Sequence, residues 1–218
     1  MEIREWLISY SVPRLHGGVN ELMLYKTHQA FGLFATSLVL INYTHTPIVS
    51  APGILALGVT LITSVMADAD EPGSVSAKSL FPLAMTLEML RVTHRGATHS
   101  LLIAGLWFWL AFSSIHWYVA IGSLHFSLYP VLLGAAVAYV SHIVIDLLNK
   151  EGEQLFWPFH GRFALYLVSA DGLVNAALEY VLLIAFFLVL LYGLSIEFPA
   201  MRTMIAPLIT LSHFISLK

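Results

Sequence analysis

Apolar residues gather in five stretches along the chain, at residues 30–41, 52–67, 101–121, 128–148 and 178–196. A helix that crosses a bilayer needs about 20 mostly apolar residues. The last three stretches reach that length unaided, and the first two reach it by taking in flanking polar positions. The pattern predicts an all-α protein: a polytopic transmembrane helix bundle of about five spans, with four to six as the range. Gly58, Gly105 and Gly134 inside these stretches are ordinary in membrane helices. Residues 80–92 differ, setting Phe81, Leu83, Leu87, Met89 and Leu90 against Glu88 and Arg91, a pattern suited to a helix lying in the membrane interface. Residues 201–217 are apolar but contain Pro207, Ser212 and His213, so a sixth span, a re-entrant piece and a surface helix all fit.

Composition agrees with the pattern. Of 218 residues, 58% are hydrophobic and 11% charged, with a mean hydropathy of +0.82. Soluble proteins carry about a quarter charged residues. A net charge of -3 offers no basic field, so no nucleic-acid partner is expected. The first 18 residues mix Glu2, Arg4, Glu5, Pro13, Arg14 and His16 with apolar ones, unlike a cleaved signal peptide. No internal repeat or flexible linker divides the chain, and one membrane domain spanning 1–218 is the economical reading.

Charge also orients the bundle. If the five spans alternate, Arg4, Arg14, Lys26, Lys78, Arg91, Arg95, Lys150 and Arg162 share one side, while the loops at 42–51 and 122–127 on the other hold no Lys or Arg. The positive-inside rule makes the basic side the cytoplasm.

The same topology sorts the residues that could do chemistry. Cysteine is absent, which excludes disulfides, thiolate metal sites and a cysteine nucleophile, but there are ten histidines. His28 stands near the start of the first span, Asp68 and Asp70 at the end of the second, His94 and His99 before the third, His142 and Asp146 at the end of the fourth, and Glu179 at the start of the fifth. All eight fall on the basic side. His45, His116 and His125 fall on or near the other, and His16, His160 and His213 are left open.

Each piece has a plainer reading. His142 and Asp146, four apart, share a helix face suited to one metal or to an Asp orienting a His, but they also make a self-satisfied pair. Asp68 and Asp70 could bridge two cations, yet Asp-Ala-Asp-Glu-Pro-Gly is also an ordinary solvated turn. Thr98 or Ser100 caps the third helix. Arg95 either pairs with a carboxylate of the site or presents its fork to a phosphate. Imidazoles and carboxylates without thiolate suit Zn, Mn or Fe, and eight candidates exceed what one tetrahedral zinc uses, so one or two divalent ions are expected.

In order along the chain stand Thr27-His28-x-x-Phe31, Ala67-Asp68-Ala69-Asp70-Glu71-Pro72-Gly73-Ser74, His94-Arg95-Gly96-Ala97-Thr98-His99-Ser100, Ser141-His142-x-x-x-Asp146, Gly152 with Leu155-Phe156-Trp157-Pro158, and Glu179. From Thr27 to Glu179 this order resembles bacterial inner-membrane proteins of the YdjM type, described as membrane-bound, metal-dependent hydrolases. The resemblance implies metal ligands at His28, Asp68, Asp70, His94, His99, His142 and Asp146, with Glu179 as a weaker addition. The chain departs from it at Glu71, where members often carry His, and at Asn149, where they carry Thr.

Together these features predict a hydrolase at the cytoplasmic membrane surface, in which a divalent metal activates water against an ester or phosphoester. Arg95 would steady an anionic group and Glu179, or an Asp that does not ligate, would act as base. The partners expected are the lipid bilayer and a lipid-like or phosphate-bearing substrate. The alternative is a non-enzymatic metal-binding or ion-transporting membrane protein. Transporters usually hold their ligands near the bilayer midplane between repeats, a pattern this chain lacks.

Overall fold

The computed structural model describes residues 18–148, 152–166 and 173–201, with side chains from residue 25 in the first range and from 174 in the last. The stretch 201–217, left open between a sixth span, a re-entrant piece and a surface helix, lies outside them except for Met201. The helices are α1 (Gly18–Asn42), α2 (Ala51–Thr63), α3 (Val75–Ser79), α4 (Phe81–Met89), α5 (Leu101–Ser113), α6 (Tyr129–Leu148) and α7 (Leu173–Glu197). Short 3-10 turns at Ala67–Asp70, Ala97–His99 and Ser114–His116 join some of them.

Among the described residues three segments, Ala51–Asp70, Tyr129–Leu148 and Val174–Glu197, are long and apolar enough to cross a membrane, and Leu101–His116 is a shorter apolar helix. The expected polytopic helix bundle is what the chain forms. Its centre is α6, which packs on α1, α2 and α5. Of its span 67% is buried within the protein, against 11% for α7, which leans on α1 and leaves Val181, Ile184, Phe187, Leu188 and Tyr192 bare. An apolar helix with so little protein around it needs lipid for its remaining faces.

Small residues set the spacing at the centre. A side chain added at Gly134 of α6 would meet Thr36 Cγ2 of α1 at 2.9 Å, and one at Gly32 of α1 would meet Ser64 Cβ at 2.7 Å. The helices therefore approach backbone to backbone, as small residues allow in membranes. Across this contact Thr60 Oγ1 donates to Thr36 Oγ1 at 2.9 Å, and Thr36 Oγ1 donates to the Gly134 carbonyl at 3.1 Å. Both threonine hydroxyls thus have a partner where water is absent.

Helix starts follow their capping residues. Ser50, Ser74 and Ser100 accept from Gly53 N, Ala77 N and Ile103 N at the heads of α2, α3 and α5. The third apolar stretch departs from expectation: its helix stops at Ser113, and the rest, with the following loop, forms an antiparallel hairpin of β1 (Tyr118–Ile121) and β2 (Leu124–Ser127). Trp-Tyr-Val-Ala-Ile is β-prone, and Gly122 at φ +60° supplies the turn that a helix reading passes over.

The bundle has two distinct ends. The α1–α2 loop, the hairpin and the end of α7 gather at one, where Glu197 accepts from Ile48 N and, at 3.4 Å, from Val49 N. Residues 64–100 and the loop at 152–166 cover the other.

Candidate metal centre

Asp68, His99 and the α6 pair His142 and Asp146 come from three different parts of the chain, and one ligand atom from each lies within 4.8 Å of all the others. His142 Nε2 is 3.0 Å from Asp146 Oδ2 and 3.4 Å from Asp68 Oδ1. His99 Nε2 is 3.4 Å from both of those oxygens. The two Nε2 atoms are 3.2 Å apart.

The supporting hydrogen bonds explain why these nitrogens face each other. His142 Nδ1 donates to the Ser64 carbonyl at 2.7 Å, which leaves Nε2 as the lone-pair nitrogen. His99 Nδ1 donates to Thr98 Oγ1 at 3.1 Å, and that hydroxyl donates in turn to Asp70 Oδ2. Both imidazoles are thereby locked in the tautomer and orientation of a ligating histidine. Two imidazole nitrogens and two carboxylate oxygens facing one point form a group that could hold a metal ion. Four N and O donors fit a divalent metal.

Local sequence places each donor. Ala67 and Ala69 are buried in the 3-10 turn after α2, and the aspartates between and after them are thrown to different partners. Asp68 joins the four-residue cluster. Asp70 accepts instead from His94 Nδ1 at 2.7 Å and from Thr98, behind His99. His94 Nε2 accepts from Arg95 Nε at 3.2 Å and is 3.6 Å from Glu71 Oε2. The pair expected to bridge two cations is therefore divided between the cluster and its support. Tyr139 of α6 ties the segment down by donating to the Thr98 carbonyl.

His28 comes to the same place from α1. It is buried, stacks on His142 with ring centroids 4.0 Å apart, and holds Nε2 at 3.4 Å from Asp146 Oδ1 and 4.0 Å from Asp68 Oδ2. Each of these two carboxylates thus turns one oxygen to His99 and His142 and the other to His28.

Of the other expected site residues, Ser100 caps α5, whereas Thr98 belongs to the centre. Among the described residues no hydrogen bond or ion pair joins Glu179, partly exposed on α7, to the cluster. Arg95 takes the first of its two expected roles, with Nη1 3.3 Å from Glu153 Oε1. It sits at φ +60°, a conformation costing about 1 to 3 kcal/mol outside glycine, and Gln154 N donates to its carbonyl at 3.1 Å.

Glu153 was not singled out in the sequence. It is fully buried, and neither carboxylate oxygen accepts a hydrogen bond. Burial, opposed by the pull of His99, pushes its carboxyl up to about 7. The signal available was an acid placed directly after Gly152 in an otherwise aromatic stretch. Burial opposes charging His99, but hydrogen bonds to Asp146, Asp68 and Asp70 outweigh it and hold the imidazole well above its usual value.

The arrangement is that of a polytopic membrane protein with a buried His and Asp centre at one end of its bundle. The chain belongs to the YdjM inner membrane protein family, whose model matches residues 23–211. Comparison with curated proteins and with solved structures gives no match.

Proposed function

We propose that this protein is a membrane-bound, metal-dependent hydrolase acting on an ester or phosphoester, with Asp68, His99, His142 and Asp146 as its principal metal ligands. The observation that carries the reading is the convergence of those four donors within 4.8 Å. Bound there, a divalent metal, with Zn favoured and Mn or Fe compatible, would lower the pKa of a coordinated water towards 7 and polarise the scissile oxygen.

The remaining residues divide the work. Asp68 and Asp146, each offering its second oxygen to His28, support two ions rather than one. Asp70, with Thr98 and His94, orients His99 and raises its basicity as a ligand. Glu153 is better placed than Glu179 to accept a proton, because it is buried on the cluster side without a hydrogen bond of its own. Arg95 balances Glu153. Asp68 and His94 are the partly open members of the group, so substrate would arrive on their side.

Among the described residues, the loop arginines Arg91, Arg95 and Arg162 lie at this end of the bundle, which we assign to the cytoplasmic face of the inner membrane. The ligands sit at helix ends rather than at the midplane, which favours hydrolysis over ion transport. The test is phosphatase, phosphodiesterase and lipase assays on purified protein, with and without chelator. Hydrolysis should require metal and vanish in His99→Ala and Asp146→Ala; activity unchanged in both variants would remove the reading. Metal uptake into proteoliposomes by the wild-type chain would favour transport instead.

A further inference from the structure

The loop at 152–166 closes the metal end of the bundle, and its outer surface is unusual for a protein facing water. Phe156, Trp157, Phe159, Phe163, Leu165 and Tyr166 are all exposed, Phe159 by 76% and Tyr166 by 68%. Such a dense apolar patch marks a contact surface. The loop is not loosely hung. Glu153 and Phe163 pair through two backbone hydrogen bonds of 2.9 Å, and Trp157 N and Phe159 N close turns on Gln154 O and Phe156 O.

Its height in the membrane follows from its anchors. Leu101 N, at the first residue of α5, donates to Leu155 O at 2.9 Å, and Leu165 N donates to Leu147 O, at the end of α6, at 2.7 Å. The loop is therefore fixed where two apolar helices begin and end. Leu101 and Leu102, the first exposed residues of α5, continue the aromatic patch into the helix surface that lipid must cover. Phe, Trp and Tyr are the residues of interfacial belts.

We infer that the loop at 152–166 docks in the headgroup and upper acyl layer of the leaflet on the metal side, with Trp157 and Phe159 seated in lipid. The opposite face of the same loop holds Glu153 against Arg95 and the cluster. One short segment then separates bilayer from metal centre, and an amphiphilic substrate would pass its headgroup sideways from the leaflet without crossing water. The lipid contact stands by itself; only the delivery of substrate rests on the hydrolase reading.

The absence of cysteine makes the test direct, since a single introduced thiol carries the only label. The full chain bearing Phe159→Cys, and separately Trp157→Cys, is spin-labelled and reconstituted, metal-free and without substrate, in phosphatidylethanolamine and phosphatidylglycerol vesicles. Collision of each label with dissolved oxygen and with a water-soluble paramagnetic chelate is then measured. The inference expects an oxygen-to-chelate ratio severalfold above that of free label in water at both positions. A ratio equal to free label would place the loop in water and overturn it. Low collision with both reagents would also overturn it: dipolar broadening would then identify a second copy as the cover, and its absence another segment of this chain. A loop seated in lipid without metal-dependent hydrolysis would leave this inference intact and remove the hydrolase reading, and the reverse result would do the opposite.

Discussion

The two ends of the bundle use the same residue type to different effect. At one end His28, His99 and His142 are buried, and each has an Asp oxygen within 3.4 Å. At the other, His45, His116 and His125 are exposed, and no described carboxylate forms an ion pair with them. His45 and His125 line an open depression of about 630 Å³ together with Tyr43, Tyr129 and loop hydroxyls. A histidine becomes a ligand through its surroundings. A carboxylate beside it and a hydrogen bond on its far nitrogen aim the lone pair, and burial excludes competing water.

The largest expected effects break that contrast outright. His142→Ala and Asp146→Ala should each weaken metal binding by more than 100-fold in a competition titration with a chromogenic chelator, more than the loss of an orienting partner costs. His45→Ala and His125→Ala should leave the titration unchanged. Next in size is the supporting layer: Asp70→Asn should weaken metal about 10- to 100-fold while leaving the number of ions bound unaltered, because Asp70 acts through His99.

A smaller effect concerns protons. In the metal-free state His99 is held protonated by its carboxylates, so metal must displace that proton. Calorimetry at pH 7 in buffers of different ionisation enthalpy should show proton release on binding, reduced by about one proton in His99→Ala.

Glu153 gives the pH dependence. Its carboxyl is raised from 4.5 to about 7, so between those values the folded chain binds more protons than the unfolded one, and stability falls as pH rises. Glu153→Gln should flatten the thermal stability of chelator-treated protein across that window. The difference should be about 3 kcal/mol at most, since one unit is worth about 1.4 kcal/mol.

The least effect on the centre is expected from packing. Gly134→Val should destabilise the bundle by about 1 to 3 kcal/mol, because the added carbons meet Thr36 and Ala56. Metal affinity should change less than in Asp70→Asn.

Much of the fold was legible because lipid imposes a simple pattern. Apolar runs of sufficient length announced α6 and α7, and the gathering of His28, Asp68, His99, His142 and Asp146 at one end of the bundle followed from counting spans. The hairpin at 118–127 was not legible, because Tyr-Val-Ala-Ile is apolar in either structure and only the Gly122 turn distinguishes them. The start of α1 was also hidden. Thr27, His28 and Ala30 are buried against other helices rather than lipid, so the helix there need not be apolar. Within the site, spacing showed that Asp68 and Asp70 were close but not that a 3-10 turn sends them to different partners. Glu153 escaped for a related reason: its role comes from a loop that folds back on Arg95, a contact between residues 58 positions apart with no local periodicity. Glu179 illustrates the converse, a polar residue that, among the described residues, forms no hydrogen bond or ion pair with the cluster.

The central claim is that the buried His and Asp cluster is a metal centre, and elemental analysis tests it most directly. Wild-type protein and His99→Ala are purified in parallel from metal-supplemented cultures, and their divalent transition metals are counted per chain. One or two ions are expected in the wild-type chain, with a loss of at least one in the variant. A metal-free wild-type protein, or equal metal in both, would contradict it.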